Sequence, residues 1–282
     1  MTISKKSLLL AICFFPLAIE FTGCVPASEL PPGSVPGLSG SASVANIEDV
    51  DPTATSLVNG IHFTVKGYTD YDVQPVATMA ESLYGKIGND FGIYSDLAAG
   101  KYTITLYHDR NEYLAKTHQP SWSRAVSTSS GVYTYPGTDL EPYMAHEVAL
   151  LAFSNFMGDR ASAFQWLGEG IAVYEEVSRM NAGDLSAFTS SQQQNMHSNK
   201  QPLSLLVFSP PPSEENRRTD PWFQESESVV AYLLQQGTTT NFKNLLIALK
   251  QGADIDHALS DNYPVKFHSL SELENAWKTT IQ

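Results

Sequence analysis

The pair His146-Glu147 combines the residue types best suited to chemistry in this sequence, within a predicted helix over residues 139–157. On a helix, two histidines four positions apart face the same side and can bind one zinc ion. A glutamate beside the first histidine can then take a proton from the attacking water. Here the position four after His146 is Leu150, which cannot bind metal. The pair alone is weak support for a metal site, since one of the 7 histidines is expected to precede a glutamate by chance.

A second segment, residues 165–176, changes this interpretation. It reads QWLGEGIAVYEE and resembles the WLxEGxAxYxE segment of gluzincins, the peptidase-MA-like HExxH zinc metallopeptidases. In that family the glutamate of the EG pair is the third zinc ligand, and Glu169 matches it. Glu169 lies nineteen positions after Leu150, the spacing of the second histidine and the glutamate in the aminopeptidase-type branch. A looser resemblance covers residues 61–281, through a YLL-type helix, an LLxALKxG helix and a closing SLxELExxW.

The resemblance implies a role for each matching residue. His146 matches the first zinc ligand, Glu147 the general base and Glu169 the third ligand, while Leu150 stands where the second ligand is expected. Phe223 aligns with a tyrosine that often stabilises the oxyanion, and it lacks the hydroxyl. Because a catalytic zinc site has three protein ligands, the family pattern predicts that zinc binding is possible but impaired. The family also implies a thermolysin-like zincin fold.

The same residues have a simpler structural interpretation. Leu150 lies in an apolar stretch and has the character of a core residue. His146 and Glu147 would then be remnants of a lost site, with Glu169 paired directly to His146, a contact that favours the protonated histidine. A working metal site would instead need a replacement ligand. The candidates are the other histidines, namely His62, His108, His118, His197, His257 and His268.

Three functions are compatible with these residues. The first is a pseudo-peptidase, a module that binds an extended peptide or an envelope protein in the groove along an edge strand, predicted at residues 131–135. Leu150 favours this function. The second is an active gluzincin metallopeptidase with a replaced zinc ligand, motivated by the intact His146, Glu147 and Glu169. The third is a structural lipoprotein whose cleft has no role, since a fold does not establish a function.

Strand patterns precede helix patterns along the chain. Alternating or β-branched runs predict strands at residues 61–65, 102–107 and 131–135. Strands first and helices later indicate the α+β class, with a small N-terminal mixed sheet followed by a helical subdomain. Apolar residues at helical spacing predict helices at 76–87, 110–117, 139–157, 163–180, 229–236, 241–251 and 271–278.

The first 24 residues predict export. Two lysines precede an apolar run at residues 7–19, which is too short for a membrane span and is typical of a secretory signal. The run leads to FTGC at residues 21–24, which resembles a bacterial lipobox, so Cys24 is the predicted lipidation site. Cys13 would be removed with the signal, leaving Cys24 alone and no internal disulfide. The alternative is an ordinary signal with an incidental cysteine.

The region after Cys24 is a predicted tether. Residues 25–55 are rich in Pro, Ser and Gly, and the folded domain is predicted at 56–282. Acyl chains on Cys24 would anchor this domain to a bacterial membrane in the cell envelope. Val25, rather than aspartate, follows the cysteine, which is compatible with the outer membrane in a Gram-negative host.

The composition limits the partners. Apolar residues make up 42% and charged residues 17% of the chain, which is typical of a folded protein. The formal net charge is -13, and the sequence has no basic stripe. Nucleic-acid binding, which depends on neutralising phosphates, is therefore not expected.

Overall fold

The structure, a computed structural model, describes residues 46–97, 101–198 and 202–281. Strands occupy the first part of this chain and helices the second, which confirms the α+β class with a mixed sheet followed by helices. The predicted signal peptide with Cys24, and the tether up to residue 45, lie outside the described residues.

The strands form a five-stranded mixed sheet with the order β1-β2-β3-β5-β4. The central strands β2, β3 and β5 are parallel, and the outer strands β1 and β4 are antiparallel to their neighbours. In β5, a Cβ at Gly131 would lie 1.8 Å from the carbonyl oxygen of Thr103, so only glycine allows this close pairing with β3. The strand bounds are β1 (Ser56–Asn59), β2 (Phe63–Gly67), β3 (Tyr102–Leu106), β4 (Ala125–Thr128) and β5 (Gly131–Thr134).

The strand predicted at residues 131–135 is confirmed at Gly131–Thr134, but the prediction that it is an edge strand is wrong. That segment is β5, and it lies between β3 and β4 rather than at the edge. β4 pairs with β5 in a hairpin, with Thr128 opposite Gly131, so β4 takes the outer place. Each of the edge strands β1 and β4 has only four residues, which is too short to show a clear alternation in the sequence.

Three helices accompany the sheet: α1 (Asp70–Asp90), α2 (Arg110–Thr117) and α3 (Leu140–Met157). α1 begins after Thr69, whose side chain accepts a hydrogen bond from the backbone N–H of Asp72 and so caps the helix. α3 packs against α1 and β4. Thirteen of its 18 residues are buried, which makes α3 the central helix of the domain.

Among the helices after α3, α4 lies between α3 and α7 and also contacts α6, whereas α5 packs against α7 and α8 against α9. The predicted helix at 163–180 is shorter, because residues 158–164 form a 3-10 segment before it. α5, α6 and α9 were not predicted; α5 buries only Phe188 and Met196, too few residues to show a helical stripe. The bounds are α4 (Gln165–Val177), α5 (Ala182–Ser198), α6 (Leu203–Phe208), α7 (Pro221–Gln236), α8 (Thr239–Lys250), α9 (Ile255–Asn262) and α10 (Leu270–Lys278).

The two glycines beside Glu169 let α4 approach its neighbours closely. A Cβ at Gly168 would lie 2.8 Å from the ring of Phe153 in α3. A Cβ at Gly170 would lie 2.5 Å from the carbonyl oxygen of Ser226 in α7. The GEG segment therefore has a packing reason as well as the predicted chemical one: it holds Glu169 between two closely packed helices.

Residues 46–55, the end of the predicted tether, lie against the domain. The backbone N–H of Glu48 donates to the carbonyl oxygen of Lys116 at 2.8 Å. The hydroxyl of Tyr107 donates to the carbonyl oxygen of Glu48 at 2.7 Å. Lys66 pairs with Asp49 at 2.5 Å. The contacts of the folded domain thus begin before residue 56.

Candidate functional site

The His146-Glu147 pair lies in the middle of α3, and both residues are buried. His146 is fully buried, and Glu147 is 1% exposed. One turn further along, Leu150 is buried in the main hydrophobic core, as expected if it is a core residue. Since a hydrocarbon side chain cannot bind metal, α3 supplies a single imidazole to the site.

α4 brings one carboxylate to each ring nitrogen of His146. The Nε2 atom lies 3.5 Å from Oε2 of Glu169, and the Nδ1 atom lies 3.2 Å from Oε2 of Glu176. Both contacts are ion-pair distances without good hydrogen-bond alignment. The expected pairing of Glu169 with His146 is confirmed, whereas the role of Glu176 was not predicted.

These carboxylates determine the charge of His146. Burial lowers the pKa of His146, and the positive charge of Arg217 lowers it further. The contacts with Glu169 and Glu176 outweigh both effects and raise the pKa to about 9. The histidine is therefore protonated at neutral pH, which leaves neither ring nitrogen free to bind a metal ion.

Two arginines from the segment before α7 complete the centre. Nε of Arg217 donates to Oε2 of Glu176 at 2.8 Å, and Nε of Arg218 donates to Oε1 of the same carboxylate at 2.7 Å. Tyr143 of α3 lies under both guanidinium groups, 5.4 Å from that of Arg217 and 4.6 Å from that of Arg218. Neither arginine was predicted, because residues 210–220 have the composition of a polar, proline-rich loop.

Glu176 is the carboxylate that the three cations share. Burial raises its pKa, but Arg217, His146 and Arg218 together hold the pKa well below its usual range. Burial lowers the pKa of Arg217, and the surrounding carboxylates, Glu176 first, raise it above its usual value. The ionised forms of these groups therefore stabilise one another.

Glu214 is a fourth carboxyl group that sequence reasoning missed. It begins a 3-10 turn, is 4% exposed, and its Oε2 accepts a hydrogen bond from Nη1 of Arg217 at 3.1 Å. Burial raises its pKa, and so do the nearby Glu169 and Glu147, against the opposing effects of Arg217 and His146. The pKa of Glu214 reaches about 7, so this group is partly protonated at neutral pH.

A metal ion could be held here in principle. Ligand atoms of His146, Glu147 and Glu214 lie within 4.8 Å of one another, and all three residues are buried. Several of their polar atoms have no hydrogen-bond partner: both ring nitrogens of His146, Oε2 of Glu147 and Oε1 of Glu214. One imidazole and two carboxylates suit a divalent cation. Glu169, the predicted third ligand, contacts His146 but is not part of this compact group.

The centre already contains positive charge of its own. His146, Arg217 and Arg218 face four carboxyl groups, those of Glu147, Glu169, Glu176 and Glu214. A metal ion would have to displace the proton of His146, which costs about a hundredfold in affinity at pH 7 for a pKa of about 9. It would also meet the charge of Arg217. The arrangement therefore favours an internal ion network over a metal site.

No other histidine replaces the missing ligand. All of them belong to the described residues, and in that part of the chain the candidate metal group contains only His146. His62 instead pairs with Glu81 at 2.7 Å. The remaining pairs are exposed: His108 with Asp109, His118 with Glu48, His257 with Asp254 and His268 with Glu272. His197 is exposed on α5.

Phe223, at the position aligned with an oxyanion tyrosine, belongs to the core. It is fully buried in a small apolar cluster with Val173 and Phe188. Its ring lies edge-on to that of Trp222, with the two ring centres 5.1 Å apart. Because the surroundings of Phe223 are apolar, core packing accounts for the phenyl ring at this position.

A pocket of about 250 Å³ lies beside the charged centre and the start of β4. Its wall includes Ala125, the first residue of β4, together with Glu214 and Arg217 from the centre. Within the part of the chain that the structure describes, no strand pairs with the outer side of β4. The pocket therefore lies between the edge strand β4 and the buried ion network. Its other lining residues are Trp122, Arg124, Tyr143, Glu215, Asn216, Arg218 and Thr219.

The predicted membrane anchor is not part of this geometry. Cys24 lies outside the described residues, so its lipidation stays a prediction. Among the helices that the structure describes, none is both long and apolar enough to cross a membrane.

Neither the comparison with protein-family models nor that with curated proteins gives a match to this chain. The resemblance to gluzincin peptidases therefore rests on the segment around Glu169 and on the position of His146-Glu147 before it.

Proposed function

We propose that this protein is a zinc-peptidase-like binding module that holds an extended peptide and does not cleave it. The observation that carries the proposal is the ion network around His146. Its two ring nitrogens each face a carboxylate, and Arg217 and Arg218 share one of those carboxylates with it. A catalytic metal site needs neutral imidazole ligands and an open coordination position. Here the cations that balance the carboxylates belong to the chain itself.

The absence of a second imidazole supports the same conclusion. Leu150 is 2% exposed and contributes to the core, so its replacement of a ligand is accommodated by packing. Without a metal ion, nothing lowers the pKa of an attacking water, and Glu147 has no activated nucleophile to generate. A peptidase-like fold would then keep a cleft for the peptide and lose the catalytic activity.

Peptide binding is supported by the edge of the sheet. β4 is one of the two edge strands of the sheet, and an edge strand can pair with an extended peptide through backbone hydrogen bonds. The pocket next to Ala125 lies where such a peptide would pass from β4 to the buried centre. An envelope protein with an exposed extended segment would suit this site as well as a free peptide.

The metal content of the purified full chain tests the loss of the site. We expect no zinc in the wild-type protein, and about one equivalent in Leu150→His, which restores the missing imidazole. Leu151→His is the matched control, since Leu151 is equally buried but faces another direction on α3. A stoichiometric zinc ion in the wild-type protein would contradict the proposal.

A second candidate function is a metal-dependent peptidase with a replaced ligand. The observation that favours it is the compact group of His146, Glu147 and Glu214, in which Glu214 supplies a carboxylate in place of the missing imidazole. A divalent cation bound there would supply Lewis-acid polarisation of a peptide carbonyl. Peptide cleavage with added zinc, compared between the wild type and Glu147→Ala, tests this candidate. Equal rates in the two proteins would exclude it.

The proposal includes a lipid anchor at Cys24, which would hold the domain at a membrane of the bacterial cell envelope. The lipobox-like FTGC and the single cysteine left after signal cleavage support it. Cells fed labelled palmitate should label the wild-type chain and not Cys24→Ser. Equal labelling of both chains would show that the cysteine is incidental.

A further inference from the structure

Three of the six arginines in this acidic chain line the pocket beside β4, namely Arg124, Arg217 and Arg218. Two of them are committed to internal partners. Arg124 is 5% exposed and donates to the carbonyl oxygen of Tyr135 at 2.6 Å, and Arg217 is 9% exposed and enclosed by carboxylates. Arg218 differs from both, because 28% of its side chain is exposed. It is therefore the most accessible cation of the pocket wall.

The guanidinium group of Arg218 has one buried edge and one accessible end. Its Nε atom donates to Oε1 of the fully buried Glu176 at 2.7 Å. Nη1 and Nη2 make no hydrogen bond to any residue that the structure describes, and neither atom is buried, in contrast to Nη2 of Arg217. The terminal end of the group thus has N–H donors that a ligand can reach.

Asp184, near the start of α5, holds this end of Arg218 only weakly. Its Oδ2 atom lies 3.6 Å from Nη1 of Arg218, beyond hydrogen-bond distance, and its side chain is 49% exposed. Such a pair contributes little to stability. Oδ2 also accepts a hydrogen bond from Nδ2 of Asn181 at 3.0 Å, so Asp184 keeps a partner when it leaves Arg218. Because three cations share Glu176, Arg218 still needs a second anion, and another carboxylate can replace Asp184 in that role.

The ring of Tyr143 prepares the guanidinium group for such a ligand. It lies 4.6 Å from Cζ of Arg218. Tyr143 is partly buried and lines the pocket together with Trp122. The stacked ring restricts the orientation of the guanidinium plane and excludes water from one of its faces. Both effects strengthen hydrogen bonds from the terminal nitrogens to an anionic acceptor.

We infer that Arg218 is a carboxylate-recognition residue, whose Nη1 and Nη2 atoms donate to a carboxylate of the bound peptide in place of Asp184. The inference rests on the proposed peptide-binding function and deepens it. The carboxylate is the C-terminus of the peptide or the side chain of one of its Asp or Glu residues. Because Nε stays bound to Glu176, the ion network around His146 is kept when the ligand binds.

The experiment uses the purified full chain and fluorescein-labelled decapeptide pools with free C-termini and with Asp or Glu at varied positions. The tightest-binding peptide is resynthesised with a C-terminal amide and, in a second series, with each Asp replaced by Asn and each Glu by Gln. Each change removes one negative charge and keeps the shape of the group. We expect one of them to weaken binding about tenfold or more, because charge-assisted hydrogen bonds are lost. The responding series identifies the carboxylate as the C-terminus or a side chain.

Two variants assign that loss to Arg218. In Arg218→Gln the tenfold penalty of the critical change should fall to near unity. Arg179→Gln is the matched control: Arg179 is a partly exposed arginine that pairs with Glu175, the other buried glutamate of α4, and the penalty should stay as in the wild type. Asp184→Asn removes the competing carboxylate, so it should tighten binding of the unmodified peptide about threefold and leave the neutralised peptide unchanged. Since Asp184 is half exposed, this second variant decides the matter if Arg218→Gln does not fold.

The outcomes separate this inference from the proposed function. If the peptides bind but no neutralising change costs tenfold, or the penalty survives in Arg218→Gln, the carboxylate site is wrong and peptide binding stands. If Asp184→Asn binds the unmodified peptide no more tightly than the wild type does, the ligand does not replace Asp184 and the inferred exchange is wrong. If no peptide binds, both the function and the site are wrong.

Discussion

Glu175 and Glu176 are neighbours in α4, and both are fully buried, yet their carboxyl groups have opposite pKa shifts. Glu176 faces His146, Arg217 and Arg218, and its pKa lies well below the usual range. Glu175 faces the other side of the helix. There burial raises its pKa first, and the nearby Asp90 raises it further against Lys86 and Arg179, to about 7.

The two sides of α4 show that burial alone does not determine the charge of a carboxyl group. Each carboxyl group loses its hydration on burial, and its pKa then depends on the cations that take the place of the water. On the α3 side, three cations converge on one carboxylate within 3.2 Å. On the α1 side, the cation nearest to Glu175 is Arg179 at 3.6 Å, and both carboxylate oxygens lack a hydrogen-bond partner. The first side is an organised ion network, and the second is a buried carboxyl group with one more distant cation.

Glu176→Gln is expected to be the most damaging change in this comparison. It leaves the buried His146 and Arg217 and the half-buried Arg218 without their shared counter-charge, and breaking such a buried pair costs about 3–5 kcal/mol of unfolding free energy. Urea unfolding at pH 7 measures the loss. Glu175→Gln is the matched control one residue away, and it should be neutral or stabilising. Equal losses in the two variants would remove the distinction between the two sides.

Between acidic and neutral pH, the protonation of Glu175 should contribute to the pH dependence of the unfolding free energy. Its pKa in the folded protein, about 7, exceeds the ordinary value of 4.5. The folded state therefore binds the proton more tightly, and this contribution to stability is lost as the pH rises from about 4.5 through 7. Unfolding free energies measured across this range should decline less steeply in Glu175→Gln than in the wild type. Parallel curves would contradict the raised pKa.

Deprotonation of His146 should cause a similar loss of stability at higher pH. Its folded pKa, about 9, exceeds the ordinary 6.5, so its contribution is complete below pH 6.5 and is lost as the pH rises through 9. The imidazole proton resonances of His146, assigned with a His146→Gln variant, should titrate with a midpoint near 9 in metal-free protein. A midpoint below 6.5 would show that burial and Arg217 outweigh Glu169 and Glu176.

Lys86→Met should have the smallest effect. Lys86 is 46% exposed and forms an ion pair with Asp90 along α1, and exposed pairs of this kind contribute about 0–1 kcal/mol. The unfolding free energy at pH 7 should change by less than about 1 kcal/mol, and the pKa of Glu175 should rise because a nearby cation is lost. A larger loss would mean that Lys86 supports the α1 side of α4 as Arg217 supports the other.

The sequence predicted the helices that carry the candidate site better than the groups that complete it. α3 and α4 were recognised from long apolar patterns and from the GEG segment, whose glycines have a packing role in the structure. The strands β1 and β4 were missed because four residues show too little alternation. The choice of residues 131–135 as the edge strand failed because strand order depends on pairing between distant segments, which a local pattern does not contain.

The same limit applies to the charged centre. Arg217 and Arg218 lie 41 and 42 positions after Glu176, in a segment with no periodic pattern. Glu214, on the same turn, has no feature in the sequence that separates it from the exposed Glu215 beside it. The path of the chain around α4 decides that Glu214 is buried at the charged centre and that Glu215 is exposed to solvent.

The sequence by itself determined the α+β class and indicated the burial of Leu150 in the helix that carries His146, because both follow from local pattern. It singled out Glu169 only through the resemblance to gluzincins, and left open whether Glu169 pairs with His146 or binds a metal ion. The tertiary structure decided which strand lies at the edge and which cations balance the buried carboxylates. Those outcomes depend on contacts between segments far apart in sequence, where electrostatic energy varies steeply with distance and burial. His146 is therefore held by Glu176, Arg217 and Arg218 in an ion network that the motif alone does not reveal.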